Sequence, residues 1–406
     1  MTGMFFGWRV VAAAFAVAVF AYGNAVYGPG VWLHALTAER GWSVAFVSAC
    51  VTLHFLASAG VTFRLPALHA RLGVVATTRL GLVAMASGCA GWAFAAEPWQ
   101  LPLAALLTGT AFGTMAGAAI NAMVSPWFDR RRPAALAMAM NGTTVGGLVL
   151  VPIWAALIGS LGFGPAALLV GGAGLVLLWP LAGHYFGRRP ADLGLYPDGA
   201  PTPPAPRPPA GPVGPLWPQP RFRSLALAFG AGTAAQVGLF SHLFSMAAPA
   251  LGPPGASWMV AAVAVCALLG RTATGWLLKP DADRRRAAAW TFLVQASGSL
   301  ALLLSVAGLA PAAPLLLAGC VLFGIGVGNM LVLPPVAAQA EWSPEQVPAV
   351  VAAMLAAMLL GGAFAPGAFG LLRDGLGDWA AAGAALALQL TAALLVRGTA
   401  SAKPAA

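Results

Sequence analysis

The chain has 406 residues, of which 60% are hydrophobic and only 8% charged, with a formal net charge of +10. So little polar surface cannot cover a water-soluble globule of this size, which excludes a soluble enzyme or a nucleic-acid-binding domain and places the chain in a bilayer. The positive balance is expected to reflect membrane topology and anionic lipid surfaces rather than nucleic acid.

Apolar runs long enough to cross about 30 Å of hydrocarbon as helices recur along almost the whole sequence. Twelve are expected, near 8–31, 44–63, 73–95, 100–124, 134–158, 162–183, 222–246, 257–279, 287–307, 313–338, 346–368 and 379–397. The first exceeds a signal-peptide core and leads directly into a second, so it reads as a span. Cys50, Cys89, Cys266 and Cys320 fall singly in four different spans and read as small core residues. Gly109, Gly113 and Gly117, with Gly142/Gly146 and Gly324/Gly328, carry the four-residue spacing that lets helix backbones approach closely.

Residues 184–221 are the longest break, and PDGAPTPPAPRPPAGPVGPLWPQP within them reads as an extended, solvated linker. The expected organisation is therefore a six-helix bundle over 1–183, a proline-rich cytoplasmic linker over 184–221, and a second six-helix bundle over 222–406. With a cytoplasmic N-terminus, eighteen of the 21 Lys and Arg lie inside, Arg40 and Arg373 lie outside, and Arg271 is left within a span. The positive-inside rule thus puts both termini in the cytoplasm.

A 215-residue offset pairs Gly60 with Gly275, Gly109 with Gly324, Gly113 with Gly328, Met115 with Met330, Trp127 with Trp342, Pro133 with Pro348, and Gly146-Gly147 with Gly361-Gly362. Such a parallel duplication of a six-helix unit is a transporter's architecture, with two halves rocking about a midplane site. The expected fold is all-α, with twelve transmembrane helices in two pseudo-symmetric bundles.

Arg271 is the conspicuous residue. Counted back from Lys279 it lies roughly 12 Å from the cytoplasmic end of its helix, and a lone cation there costs at least about 3 kcal/mol. All eleven carboxylates fall in loops or at helix ends. The expected partner is an anionic substrate, held by a charge-assisted pair; a structural arginine bonded to backbone carbonyls is the alternative. Other candidate cavity groups are His54, with Ser58 and Thr62 at helical spacing, and Tyr22, Asn24, Tyr27, Gln236, His242 and Asn329. The five histidines are too scattered for hydrolytic or metal chemistry, so no metal or cofactor is expected.

WFDRRRPAALAMAMNGTTVGG at 127–147, the opening FFGWRVV, and RRPADLGLYPDG after the sixth span resemble the monocarboxylate transporter family of the major facilitator superfamily. The resemblance implies a major facilitator fold and places Arg271 at the family's substrate-carboxylate arginine. The chain departs from the pattern in three places. No acid stands in FRLPALHARLG, Ala267 stands where members often carry Asp, and the first span offers Tyr22, Asn24 and Tyr27 in place of a lysine. The expected function is an inner-membrane secondary carrier of small monocarboxylates, monomeric, with protons as a possible coupling ion. An efflux carrier of neutral or amphiphilic compounds and a transporter-like sensor are the alternatives.

Overall fold

The computed structural model describes residues 5–200, 202, 214–278, 282–309, 312–343 and 345–397. Arg207, Lys279, Asp281, Lys403 and most of the proline-rich stretch lie outside the described residues. Among those described, the chain is helical without strands, and ten helices are long and apolar enough to cross a membrane. Two of the ten are double. Val44–Phe94 contains 51 residues, which at 1.5 Å each reach about 76 Å, more than twice a bilayer's hydrocarbon. Gly73 breaks it at φ 77°, and Gly252 breaks Pro220–Leu277 at φ 68°. Only glycine adopts this left-handed backbone without strain.

Twelve spans result. They are α1 (Phe6–Arg40), α2 (44–72), α3 (74–94), α4 (Gln100–Trp127), α5 (Arg132–Leu161), α6 (Phe163–Tyr185), α7 (220–251), α8 (253–277), α9 (Arg284–Val306), α10 (312–341), α11 (Val347–Leu376) and α12 (Asp378–Arg397). Helix α1 carries a π-helical stretch at Gly23–Tyr27, α4 breaks at Ala116, and α10 tightens into a 3-10 turn at Gly328–Leu331.

The chain forms two compact units. Unit 1 holds the residues up to Trp42 and from Cys50 into the linker. Unit 2 holds the residues after the linker together with Ser43–Ala49, the first turn of α2. That turn is fastened by Asp374 of α11, whose carboxylate accepts from Val44 N at 3.1 Å and Ala45 N at 2.8 Å. Gly370 packs on Ser48 in the same place.

Glycine sets how closely the helices approach. A Cβ on Gly109 would stand 2.2 Å from the His54 carbonyl oxygen, and one on Gly113 2.8 Å from that of Ser58. In unit 2, a Cβ on Gly324 would meet the Val263 oxygen at 2.9 Å, and one on Gly328 the Ala267 oxygen at 1.8 Å. These matched contacts reveal the internal repeat, and its register varies along the chain. The 215 offset holds for α4/α10, and also for the positive-φ glycines Gly162 and Gly377 that end α5 and α11. For α2/α8 the offset is 209. For α1/α7 it is 211, since Gly146 abuts the Val19 oxygen and Gly361 that of Gly230, and Gly41 and Gly252 repeat a positive φ at the same distance. A uniform 215 offset would set Arg271 against Leu56 and His242 against Tyr27; the packing sets them against Thr62 and Val31 instead. Gly60 and Gly275 are not equivalent.

The linker is also shorter than 184–221, because α6 runs to Tyr185 and α7 begins at Pro220. Its first part is structured. Asp192 accepts from Arg189 N at 2.7 Å, and Asp198 accepts from Asp129 N at 3.1 Å and Arg130 N at 2.7 Å. This portion is seated on unit 1; most of the proline-rich stretch expected to be extended and solvated lies outside the described residues.

Gly328→Val must push α10 off the Ala267 carbonyl and is expected to cost about 1–3 kcal/mol, whereas Gly172→Ala, with nothing within 4 Å of the added methyl, leaves stability unchanged. Thermal unfolding of the two purified variants checks the contrast.

Candidate functional site

The polar residues singled out in the sequence fall into several separate places. In unit 2, α8 and α10 touch backbone to backbone at Ala267 and Gly328, and one turn further along α8 stands Arg271. It is half-buried, and its Nε donates to the Gly328 carbonyl at 3.2 Å. Asn329, 4% exposed, occupies the same 3-10 turn. Its amide makes only a long contact to the Ile325 oxygen, 3.5 Å, and its Oδ1 is buried without a hydrogen-bond partner. Arg271 and Asn329 thus put a guanidinium and an amide oxygen on neighbouring positions of the contact at Gly328–Asn329. Gln236 on α7 also buries its Oε1 without a partner.

In unit 1 the structure brings His54 and Tyr22 together around Phe112. The imidazole stacks on that ring at 5.9 Å, and Tyr22 meets it edge-on at 5.0 Å. His54 Nδ1 lies 2.9 Å from Thr108 Oγ1, and the Ala25 backbone, in the π-helical stretch, lies beside the ring. Thr108 also accepts from Trp92 Nε1 at 3.3 Å and reaches the Ala104 and Ala105 carbonyls. The sequence reading missed Thr108, whose neighbour Gly109 was the available signal.

Asn24 and Tyr27 are used elsewhere. Asn24 is fully buried, gives its amide to the Phe20 carbonyl at 2.8 Å and takes the Trp154 indole N–H at 3.0 Å. It ties α1 to α5 rather than offering a ligand. Tyr27 packs its ring over Gly147, where a Cβ would come within 2.3 Å.

His242 likewise belongs to a structural network. Its Nε2 lies 3.0 Å from the Pro366 carbonyl, and its Nδ1 accepts from Arg373 Nη1 at 3.0 Å. Arginine only donates, so His242 must present a lone pair at Nδ1 and its proton at Nε2. Arg373 also holds Ser245 at 2.7 Å and Asp378 at 2.8 Å.

A second network centres on Arg285, the one buried member of the Arg284–Arg286 run, which its composition alone would put in water. Arg285 is 6% exposed. It grips Glu341 through Nε at 2.6 Å and Nη2 at 2.8 Å, and reaches Ser224 at 2.8 Å and the carbonyls of Val396 and Arg221 at 3.1 and 2.9 Å. Asp283 caps α9 through Arg285 N at 2.9 Å and Arg286 N at 3.1 Å. Arg221 stacks on Trp342 at 4.4 Å and donates to the Glu341 carbonyl. Spacing could not show this, because Glu341 is 56 residues away.

The family profile of the Major Facilitator Superfamily matches residues 13–366. Among solved structures, a bacterial homolog of the human lysosomal transporter Spinster, inward-facing and unoccupied, aligns with a TM-score of 0.70 at 16% identity over 97% of this chain and 95% of that one. The same homolog, inward-facing and occupied, aligns with a TM-score of 0.68 at 15% identity, covering 97% and 94%. At such identity the likeness is one of fold. No curated protein is significantly similar in sequence, and none of these similarities reaches the monocarboxylate transporters.

Removing Glu341's charge strands a buried guanidinium. Glu341→Gln should cost about 3–5 kcal/mol, far more than Glu345→Gln on the exposed loop, as read by thermal unfolding in detergent.

Proposed function

Because the chain belongs to the Major Facilitator Superfamily, a family of multi-pass membrane transporters, we propose that it is a secondary active carrier of small organic anions working by alternating access, with monocarboxylates of the lactate or pyruvate type as its substrates. The observation that carries this reading is Arg271, a half-buried guanidinium oriented by the Gly328 carbonyl at the break of α10. The carbonyl takes one of the guanidinium's five N–H donors. Among the described residues, every carboxylate sits at a helix end or in a connection. A carboxylate substrate supplies the opposite charge in the fork geometry that arginine favours.

The corrected repeat sharpens the selectivity. The counterpart of Arg271 in unit 1 is Thr62, an uncharged residue. One cation suits one carboxylate, whereas the second carboxylate of a dicarboxylate would be desolvated without a partner. His54, with Nε2 buried and without a hydrogen bond, is the side chain through which protons would couple. The distribution of basic residues supports a cytoplasmic location for both termini, and the reading takes the carrier to sit in the inner membrane.

The Gly328 bond also favours a second reading, in which Arg271 stays the broken α10 and the cargo is neutral or amphiphilic.

Uptake into proteoliposomes separates the two. Arg271→Lys should keep part of the transport and Arg271→Gln should lose it while still inserting. Normal uptake of carboxylates by the Gln variant sinks the anion reading. Succinate or oxalate displacing a labelled monocarboxylate better than other monocarboxylates do would refute the single-cation argument. If symport occurs, His54→Gln should flatten the pH dependence of uptake, and an unchanged profile removes His54 from the coupling.

A further inference from the structure

Three stretches far apart in sequence meet at one end of unit 1. Phe5, Phe6 and Trp8, entering α1, interleave with Trp127 and Phe128 of the α4–α5 connection and with Tyr185 at the end of α6, at ring separations from 4.9 to 6.1 Å. This aromatic core carries a rim of arginines. Arg9, Arg130, Arg131, Arg188 and Arg189 are exposed, Arg188 lies over the Phe6 ring at 5.9 Å, and Arg132 Nε donates to the Phe128 carbonyl at 3.0 Å.

The local carboxylates are Asp129, Asp192 and Asp198. The last two are turned onto backbone N–H groups: Asp192 onto Arg189 N, and Asp198 onto three successive amides, the third being Arg131 N at 3.4 Å. Asp198 holds this position with φ at 62°, a left-handed conformation that side-chain-bearing residues seldom adopt. The linker is thus docked by its acids while the guanidinium rim faces outward, and six arginines against three acids leave a net charge of +3.

In unit 2, two arginines near the ends of α7 and α9 are used differently. Arg221 and Arg285 turn inward onto Glu341, Trp342 and backbone carbonyls. Basic residues are enriched at the ends of spans in both units, and in unit 1 an aromatic platform holds five of them outward among the described residues.

We propose that this corner of unit 1 is a discrete binding site for the phosphate headgroup of an anionic phospholipid. It lies where α1 and α5 begin and α6 ends, and the ends of membrane spans meet the headgroup region. Guanidiniums suit phosphate oxygens by fork geometry, and exposed Tyr196 beside the rim is the residue type that settles at that level. The occupant is a lipid and not a free ion because cation clusters at span ends draw anionic lipid to the protein from the surrounding leaflet.

The test uses the full chain purified in neutral detergent, with phosphatidylglycerol or phosphatidylcholine titrated in and bound lipids counted by native mass spectrometry. A phosphatidylglycerol molecule should bind more tightly than phosphatidylcholine, and its affinity should fall as salt rises. The combined Arg130→Gln, Arg131→Gln, Arg188→Gln and Arg189→Gln variant should lose affinity by about fivefold for each arginine removed. The control Arg223→Gln with Arg286→Gln, exposed positions in unit 2, should bind as the unaltered chain does, and the four Arg→Lys changes should retain most of the binding. Equal binding of the two lipids, or an equal loss in the control, overturns the proposal. Displacement of the lipid by inorganic phosphate at matched concentration would make it a free-anion site and overturn it as well. If the glutamine variant does not fold, the lysine variant and the salt titration decide, and salt-independent binding counts against it.

Discussion

Direct contact between helix backbones, allowed by glycine, underlies the rest of the structure. In a bilayer the apolar side chains of one helix are no better served by another helix than by lipid, so association depends on close van der Waals approach and hydrogen bonds. Gly109 and Gly113 seat α4 on carbonyls of α2; Gly142 and Gly146 seat α5 on carbonyls of α1; Gly324 and Gly328 seat α10 on carbonyls of α8. The polar features follow from this scaffold. Arg271 reaches the Gly328 carbonyl because Gly328 already touches α8 one turn earlier. His54 meets Thr108 because the adjacent Gly109 lies against the His54 carbonyl.

Charge inside the bundles is managed by orientation. Arg285 and Arg373 are nearly buried, and each satisfies its donors with a carboxylate, a hydroxyl and further acceptors such as a backbone carbonyl or a histidine lone pair. Removing one member of such a set leaves a charge without compensation in a low dielectric, which is why these groups occur as networks rather than as pairs. Arg271 gives its Nε to a backbone carbonyl, that of Gly328 on the neighbouring helix.

The spans, the duplication and the long central break are legible in the sequence because each rests on local composition or on fixed spacing. Gly73 stands at the start of the third apolar run and Gly252 between the seventh and eighth, and the prolines of the first turns of α5 and α11 sit where a missing N–H costs nothing. What was illegible depends on partners brought in by packing. Arg285 stands in a run of three arginines and reads as solvated, yet its carboxylate is on another helix. His242 and Asn24 read as cavity groups because a polar residue in a span suggests function, and the structure uses both as ties. The repeat read with one offset misassigned the counterparts of Arg271 and His242, since a uniform shift assumes that connections in the two halves are equally long.

Those unequal connections preserve a history. The carbonyl touched by Gly113 lies 55 residues earlier, at Ser58, while the one touched by Gly328 lies 61 residues earlier, at Ala267. After the ancestral six-helix segment doubled, the two copies diverged by a net six residues between their second and fourth helices, whereas the stretch from the fourth helix to the turn after the fifth kept its length. Insertions were therefore absorbed in connections, where the chain is free to bulge, and the helix contacts kept their phase. A chimera exchanging helices between the copies would have to join them at the glycine contacts, because a join placed by sequence offset would rotate the transplanted second helix by six residues, about 240° away from its proper face at 3.6 residues per turn.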